Sequence, residues 1–227
     1  MTVGNATYQT IEDVPKVVPL FPLEGALLLP RSHIPLNIFE PRYIAMVDAA
    51  MRTDRVIGMI QPDLKEGEEE VPGARPPLQS VGCLGRITSF QESGDGRYLV
   101  TLSGISRFDL IGEVEDRAPF RRGAIDISRY VEDLTPGVGE EEVDRDGVLS
   151  ALQSYLEANE MEADWESVNT ASTEVLINAL SMMSPYGPKE KQALLEAESL
   201  KVRADTLIAL AEMEMARDNP GAGPSIQ

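Results

Sequence analysis

Few residues in this 227-residue chain carry the chemistry of a catalyst. His33 is its one histidine and Cys83 its one cysteine. A thiol or hydroxyl nucleophile generally needs an adjacent base. His33 lies in an apolar stretch, His33-Ile34-Pro35-Leu36, and neither it nor Cys83 sits in anything resembling a nucleophile elbow. A lone barrel or loop histidine is therefore the simpler reading than a Cys83–His33 pair. One histidine and one cysteine are also too few for a clustered metal site. The acidic runs Glu68-Glu69-Glu70 and Glu140-Glu141-Glu142 lack the Asp/Asn/Gly alternation of a calcium loop and read as solvated faces and caps. No Gly-x4-Gly-Lys-Ser/Thr loop occurs, and Gly82-Cys83-Leu84-Gly85 enters a strand, the wrong context for a dinucleotide fingerprint. The 38 acidic residues can be paired in too many ways to single out an acid–base couple. The expectation is a non-enzymatic chain with no cofactor and no metal.

Charge narrows the partners. With 38 acidic and 20 basic residues the formal net charge is −18. That field repels phosphate backbones, whose binding depends on Lys and Arg displacing counterions. It also disfavours anionic membrane surfaces and favours basic or neutral partners. One thiol and nine methionines suit a reducing compartment. Met1 to Asp13 lacks a basic segment followed by an apolar core, and no apolar run approaches the roughly 20 residues of a membrane span. A cytoplasmic protein is expected.

The elements that must position any site divide the chain. Residues 1–13 and 219–227 read as flexible tails, 14–134 as a β-barrel subdomain and 135–218 as a helical subdomain. Val17–Leu20 and Ala26–Leu29 are strand candidates, with Pro19 and Pro22 confining the first to a sheet edge or strand end. Pro41–Arg52 reads as a helix, Val56–Ile60 as a strand and Pro62–Gln79 as a solvated loop. Cys83–Gln91 and Arg97–Ser103 flank a turn, Glu92-Ser93-Gly94-Asp95-Gly96, suited to a hairpin. Gly104 is expected to break the run before Phe108 and Leu110, and Ile125 and Ile127 alternate further on. Closely spaced short strands suggest a small barrel. Three helices follow. Val148, Leu152, Tyr155 and Leu156 share one face of the first. Trp165, Val168, Ser172, Val175, Ala179 and Met182 share one face of the second, with Asp164 as N-cap. The third runs from Gly187-Pro188 to about Arg217, with Ala193, Ala197, Leu200, Ala204, Leu207 and Ala211 forming a seam. The seam is expected to pack within the chain, with a dimer contact as the alternative, giving a monomer or weak dimer.

Several segments together carry a family likeness. Pro19-Leu20-Phe21-Pro22-Leu23, then Leu29-Pro30, then Ile34-Pro35-Leu36-Asn37-Ile38-Phe39-Glu40-Pro41-Arg42-Tyr43 resemble the opening of the Lon protease amino-terminal, substrate-binding domain. Val81 to Ile87, Gly96-Arg97-Tyr98, Gly104 to Phe108 and Ser184 to Glu196 resemble its later elements, in the same order. The resemblance implies an α+β fold, a small PUA-like β-barrel followed by a helical bundle with a long C-terminal helix. It implies engagement of unfolded or extended polypeptides, alone or with a protease or chaperone. The ATPase and Ser/Lys protease parts of full-length Lon have no room in 227 residues. Gly223-Pro224-Ser225, which echoes the sequence around the Lon nucleophile, has no downstream lysine and reads as chance. The candidate partner-binding residues are Arg42, Phe39, Tyr43 and Arg107. Arg42 either pairs with a carboxylate or touches a partner. Phe39 and Tyr43 are more simply core residues. Arg107 is expected to be exposed if Phe108 is buried, by strand alternation. Glu40 is expected to accept bonds from backbone groups near its helix start. The alternatives are an RNA-binding barrel, for which Arg121-Arg122 and Arg75 are the sparse basic hints, and a scaffold subunit docking through the Ala-lined helix.

Overall fold

The structure, a computed structural model, describes residues 1–64, 75–158 and 161–218. β1 (Thr2–Val3) and β2 (Ala6–Thr7) form a small hairpin. The main sheet comprises β3 (Val17–Pro22), β4 (His33–Ile38), β5 (Val56–Pro62), β6 (Leu78–Glu92), β7 (Tyr98–Glu113) and β8 (Arg121–Asp126), in the order β4-β7-β6-β5-β3-β8. Because β8 also pairs with β7, the last five strands close into a barrel and β4 is left outside as an edge. All these pairings are antiparallel except β3 with β5. The barrel interior is filled by side chains such as Leu20, Leu84, Ile105 and Phe108, all fully buried.

Pro19 lies inside β3 without breaking it. Lys16 O accepts from Ile125 N, which puts the hydrogen-bonded pairs with β8 at the even positions of β3. Pairing with β5 begins only at Leu20. The missing N–H of Pro19 is therefore not needed by either neighbour, a local edge within a barrel strand.

The long β6–β7 hairpin turns through Gly94 and Gly96, at φ 79° and 83°, as the sequence predicts. Contrary to expectation, Gly104 does not end the strand. A Cβ there would lie 2.0 Å from the Leu29 carbonyl oxygen, so only glycine lets the loop pass. That loop is the apolar run expected to be a strand. Leu27, Leu28 and Leu29 are buried, yet they lie outside any strand. The loop is pinned where Arg31 N donates to Gly104 O at 2.9 Å and Gly104 N to Ser32 O at 2.9 Å. Register shifts near Gly85 and Thr88 bend the hairpin, so that β7 serves β4 with one half and β8 with the other.

The expected amino-terminal tail is ordered structure. Val3 and Tyr8 are buried against the barrel, and the Met1 amine donates to Tyr8 O and Leu134 O at 2.7 and 2.9 Å. Of the expected loop at 62–79, Leu78 and Gln79 already belong to β6, and residues 65–74 lie outside the described residues. The expected tail at 219–227 lies outside them too.

The helices are α1 (Pro41–Met51), α2 (Arg145–Ala158), α3 (Trp165–Thr170), α4 (Thr173–Met183), α5 (Pro188–Glu196) and α6 (Leu200–Asp218). Two of the three expected C-terminal helices are thus broken in two. Asp164 does cap its helix, accepting from Glu166 N and Ser167 N, but the helix stops at Ala171 and Ser172 caps the next. The second break, at Ala197, has a tertiary cause. Arg107 Nη1 donates to Ala197 O at 2.5 Å and to Leu195 O at 3.4 Å, taking up carbonyls that a continuous helix would have used. The seam survives within α6, where Leu200, Ala204, Leu207 and Ala211 are buried, whereas Ala193 is exposed.

Arg107 departs from strand alternation: both it and Phe108 are buried. Around Arg107 the outer face of the barrel is covered by the segment that carries Tyr130 and Asp133 and by the end of α5, so both sides of β7 are buried from Leu102 to Phe108. Arg107 is therefore not a surface contact residue. It donates to both carboxylate oxygens of Asp133, Nε and Nη2 at 2.9 Å each, and stacks over the Tyr130 ring at 4.6 Å. Beside it, Arg31 pairs with Glu174. Arg203 donates to Leu194 O at 2.9 Å and Asn178 Oδ1 at 3.1 Å. Burial, then the nearby Arg107 charge, lower Arg203 to about 10, so it stays charged at neutral pH. Leu194, Leu195 and Leu207 join one apolar cluster with Phe21, Leu29 and Ile57, so barrel and helices share a core.

Replacing one member of a buried, hydrogen-bonded ion pair leaves the other charge unpaired. Arg107→Met should lower the unfolding free energy by about 3–5 kcal/mol, and Arg107→Met with Asp133→Leu should recover part of that loss. Urea denaturation of the two variants measures both. Gly104→Ala, which drives a methyl into the Leu29 carbonyl, should cost about 3 kcal/mol or more by the same assay.

Candidate functional site

The residues nominated from sequence do not come together. Burial pushes the Cys83 thiol pKa up, and its Sγ reaches only the Leu84 carbonyl, at 3.6 Å. His33 bonds Ser103 rather than Cys83: Nδ1 to Oγ is 2.7 Å, and Ser103 Oγ continues to Thr88 Oγ1 at 2.7 Å. Tyr43 is core, edge-on to Phe21 at 4.5 Å. Phe39, in contrast, is 62% exposed, because it follows the last residue of β4 and precedes the helix cap. Glu40 makes no side-chain cap; its carboxylate takes Arg42 Nε at 2.9 Å, and Arg42 lies over the Tyr43 ring at 4.4 Å. Of the four nominated residues, Phe39 alone is fully at the surface, Arg42 is half-buried, and Arg107 and Tyr43 are inside. Of the basic hints, Arg121 pairs with Glu113 and Arg122 with Asp116, while Arg75 is exposed. Among the described residues, no group of three or more His, Cys, Asp or Glu side chains is placed to hold a metal. No helix among them is long and apolar enough to cross a membrane.

A different site emerges from α4. Val175 and Met183 on it point to solvent, while Ala179 and Met182 between them are half-buried, Met182 against the main apolar cluster. Val175 is 51% and Met183 82% exposed. Val175, Ala179 and Met182, spaced four and three apart, share one helix face, and Met183 borders it. The opposite, buried face carries Glu174, Asn178 and Ser181 beside Leu176 and Ile177. The helix is turned this way because its polar residues have partners inside. Glu174 takes Arg31, and Asn178 is bonded by Arg203 and donates to Pro30 O at 3.1 Å. A helix that buries its carboxylate and amide leaves Val175 and Met183 outside.

That apolar face lines one wall of a cavity of about 260 Å³, whose other wall is Pro30, Arg31, Ser32 and His33. Arg31 adopts φ 65° there, a left-handed conformation uncommon outside glycine. Its bonds to Gly104 O, Glu174 and Asp133 O hold it in place. The cavity opens onto the start of β4, which pairs with β7 on one side only. A strand edge and a methionine-lined pocket thus adjoin. Such a surface offers apolar contact of adaptable shape.

Comparison with known proteins shows the family and the fold. The family model described as the ATP-dependent protease La (LON) substrate-binding domain matches residues 17–212. The chain is 29% identical over 205 residues to Lon protease 2 of Myxococcus xanthus, covering 88% of this chain and 24% of that protein. It is 25% identical over 203 residues to the Lon protease of Escherichia coli K12, covering 87% and 25%. The chain therefore spans about a quarter of the length of these relatives. Among solved structures, the N-terminal domain of a Mycobacterium avium complex Lon protease superposes with TM-score 0.63 at 18% identity, covering 87% of this chain and 98% of that one. The Lon N-terminal domain protein of Xanthomonas campestris superposes with TM-score 0.59 at 22% identity, covering 85% and 97%. Fold, motif order and matched length lead to one conclusion: the chain belongs to the Lon substrate-binding domain family.

Proposed function

We propose that this chain is a non-catalytic module that binds extended or unfolded polypeptide in the groove between β4 and α4. The observation that carries this reading is the outward turn of α4, which exposes Val175 and Met183 beside an apolar cavity while burying Glu174 and Asn178. A soluble domain has little reason to expose a methionine-lined helix face unless something covers it. Methionine side chains re-pack around unlike partners, which suits a surface that meets many sequences. The net charge of −18 would speed encounter with basic clients, an effect that weakens with salt. The matched family's description as a substrate-binding domain supports the same role. The neutralised Arg121 and Arg122 give an RNA-binding reading no support.

Fluorescence anisotropy of labelled unfolded peptides tests the proposal. The double substitution Val175→Gln, Met183→Gln should weaken binding about tenfold or more, the loss of two apolar contacts. Melting temperature should hardly move, because both side chains are exposed. Basic peptides should bind more tightly than acidic ones, with the gap narrowing at high salt. Failure of every peptide to bind, or tighter binding of acidic ones, defeats the proposal. The buried thiol offers a check on the absence of a nucleophile: Cys83 should react with a thiol reagent only as the protein unfolds. Rapid labelling of the native protein would contradict that.

A further inference from the structure

We infer that the client is held by strand addition along the free edge of β4, with a hydrogen-bonding period of two. This inference rests on the polypeptide-binding reading and specifies its chemistry. The register fixes which groups are free. His33 pairs with Ser103 and Ile38 with Tyr98. Ser32 O accepts from Gly104 N at 2.9 Å. The Ser32 carbonyl and the backbone groups of Ile34, Leu36 and Ile38 therefore turn toward β7, and His33, Pro35 and Asn37 turn theirs away from it. Among the described residues no strand pairs with that outer side. The edge thus presents three acceptors, the carbonyls of His33, Pro35 and Asn37, and two donors, the N–H groups of His33 and Asn37.

This pattern is chemically specific. An extended polypeptide presents donors and acceptors in alternation at the same spacing, which is what unpaired edge groups require. Pro35 removes the middle donor. That omission blunts pairing with another long edge strand but leaves every outward acceptor in place. Proline is tolerated at this position because its N–H would face away from β7. On the side-chain level, Ile34 and Leu36 are half-buried against the core, whereas His33, Pro35 and Asn37 are exposed. Every second client side chain therefore falls on the Ile34 and Leu36 side, where an apolar residue extends the existing cluster. The remaining side chains face solvent, so the site reads backbone and alternate apolar character rather than a sequence. The strand end leads to exposed Phe39 and its start to the methionine-lined cavity. Six strand residues span about 20 Å, enough for a client segment of similar length.

The test uses the whole chain and a labelled decapeptide that alternates leucine or valine with threonine and lysine, with backbone N-methyl groups placed one at a time. Strand addition predicts that N-methylation weakens binding at alternate positions, several-fold to about tenfold each, and hardly at all between them. In the protein, Asn37→Pro removes an outward donor without touching the pairing with β7, as Pro35 already does. It should weaken binding several-fold relative to Asn37→Ala while both variants melt alike. Should Asn37→Pro fail to fold, the N-methyl series on the unaltered chain still decides the matter. If the decapeptide binds but methylation acts uniformly or nowhere, strand addition is wrong and polypeptide binding stands. If it does not bind while other unfolded peptides do, strand addition again fails alone. If no peptide binds, both ideas fall.

Discussion

The buried Arg107–Asp133 pair is the constraint on which the remaining architecture depends. Arg107 stands on a barrel strand, yet its guanidinium binds the carboxylate that follows the last barrel strand and the carbonyls at the end of α5. A charge taken out of water has to be met by fixed partners. Meeting that need fastens barrel to helices and ends α5 at Ala197, so that α6 starts afresh at Leu200. Arg31 and Arg203 repeat the device next to it, each reaching from one part of the fold into another.

The proposed binding surface follows from that junction. Because Glu174 and Asn178 are needed inside, α4 presents Val175 and Met183 to solvent. The energetic link runs from polar satisfaction in the interior to apolar exposure at the surface. The same junction holds Arg31 in its left-handed turn, which aims the chain into β4. The groove beside β4 and the buried network are two faces of one arrangement. A change in the network should therefore be felt in the groove, although the reverse need not hold, since Val175 and Met183 have little to do with the core.

Much of the fold was legible in the sequence. Hairpin glycines, Pro41 at a helix start, the Asp164 cap and the period of the α6 seam are local signals, and each acts where it stands. What was not legible is non-local. Gly104 reads as a strand breaker, but its role is to admit the Leu29 carbonyl from a distant loop. Leu27–Leu29 has the composition of a strand, yet it is buried as a loop that passes against Gly104. Strand alternation predicts one exposed residue at Arg107 and Phe108, and it fails because the segment that carries Tyr130 and Asp133 and the end of α5 cover the outer face there. Of the proposed site, the stripe of α4 was legible, but not the direction in which it points. That direction depends on the burial of Glu174 and Asn178, whose partners Arg31 and Arg203 are far away along the chain. A polar residue on the face opposite an apolar stripe ordinarily signals solvent, and nothing local reveals the exception.

The measurement that bears most directly on the groove is amide hydrogen exchange with and without a saturating unfolded peptide. Exchange should slow at His33 and Asn37, whose N–H groups face outward, and along α4 near Val175 and Met183. Ile34 and Leu36, already bonded to β7, should change little. Protection that appears elsewhere on the chain, or nowhere while the peptide is bound, would contradict a client lying between β4 and α4.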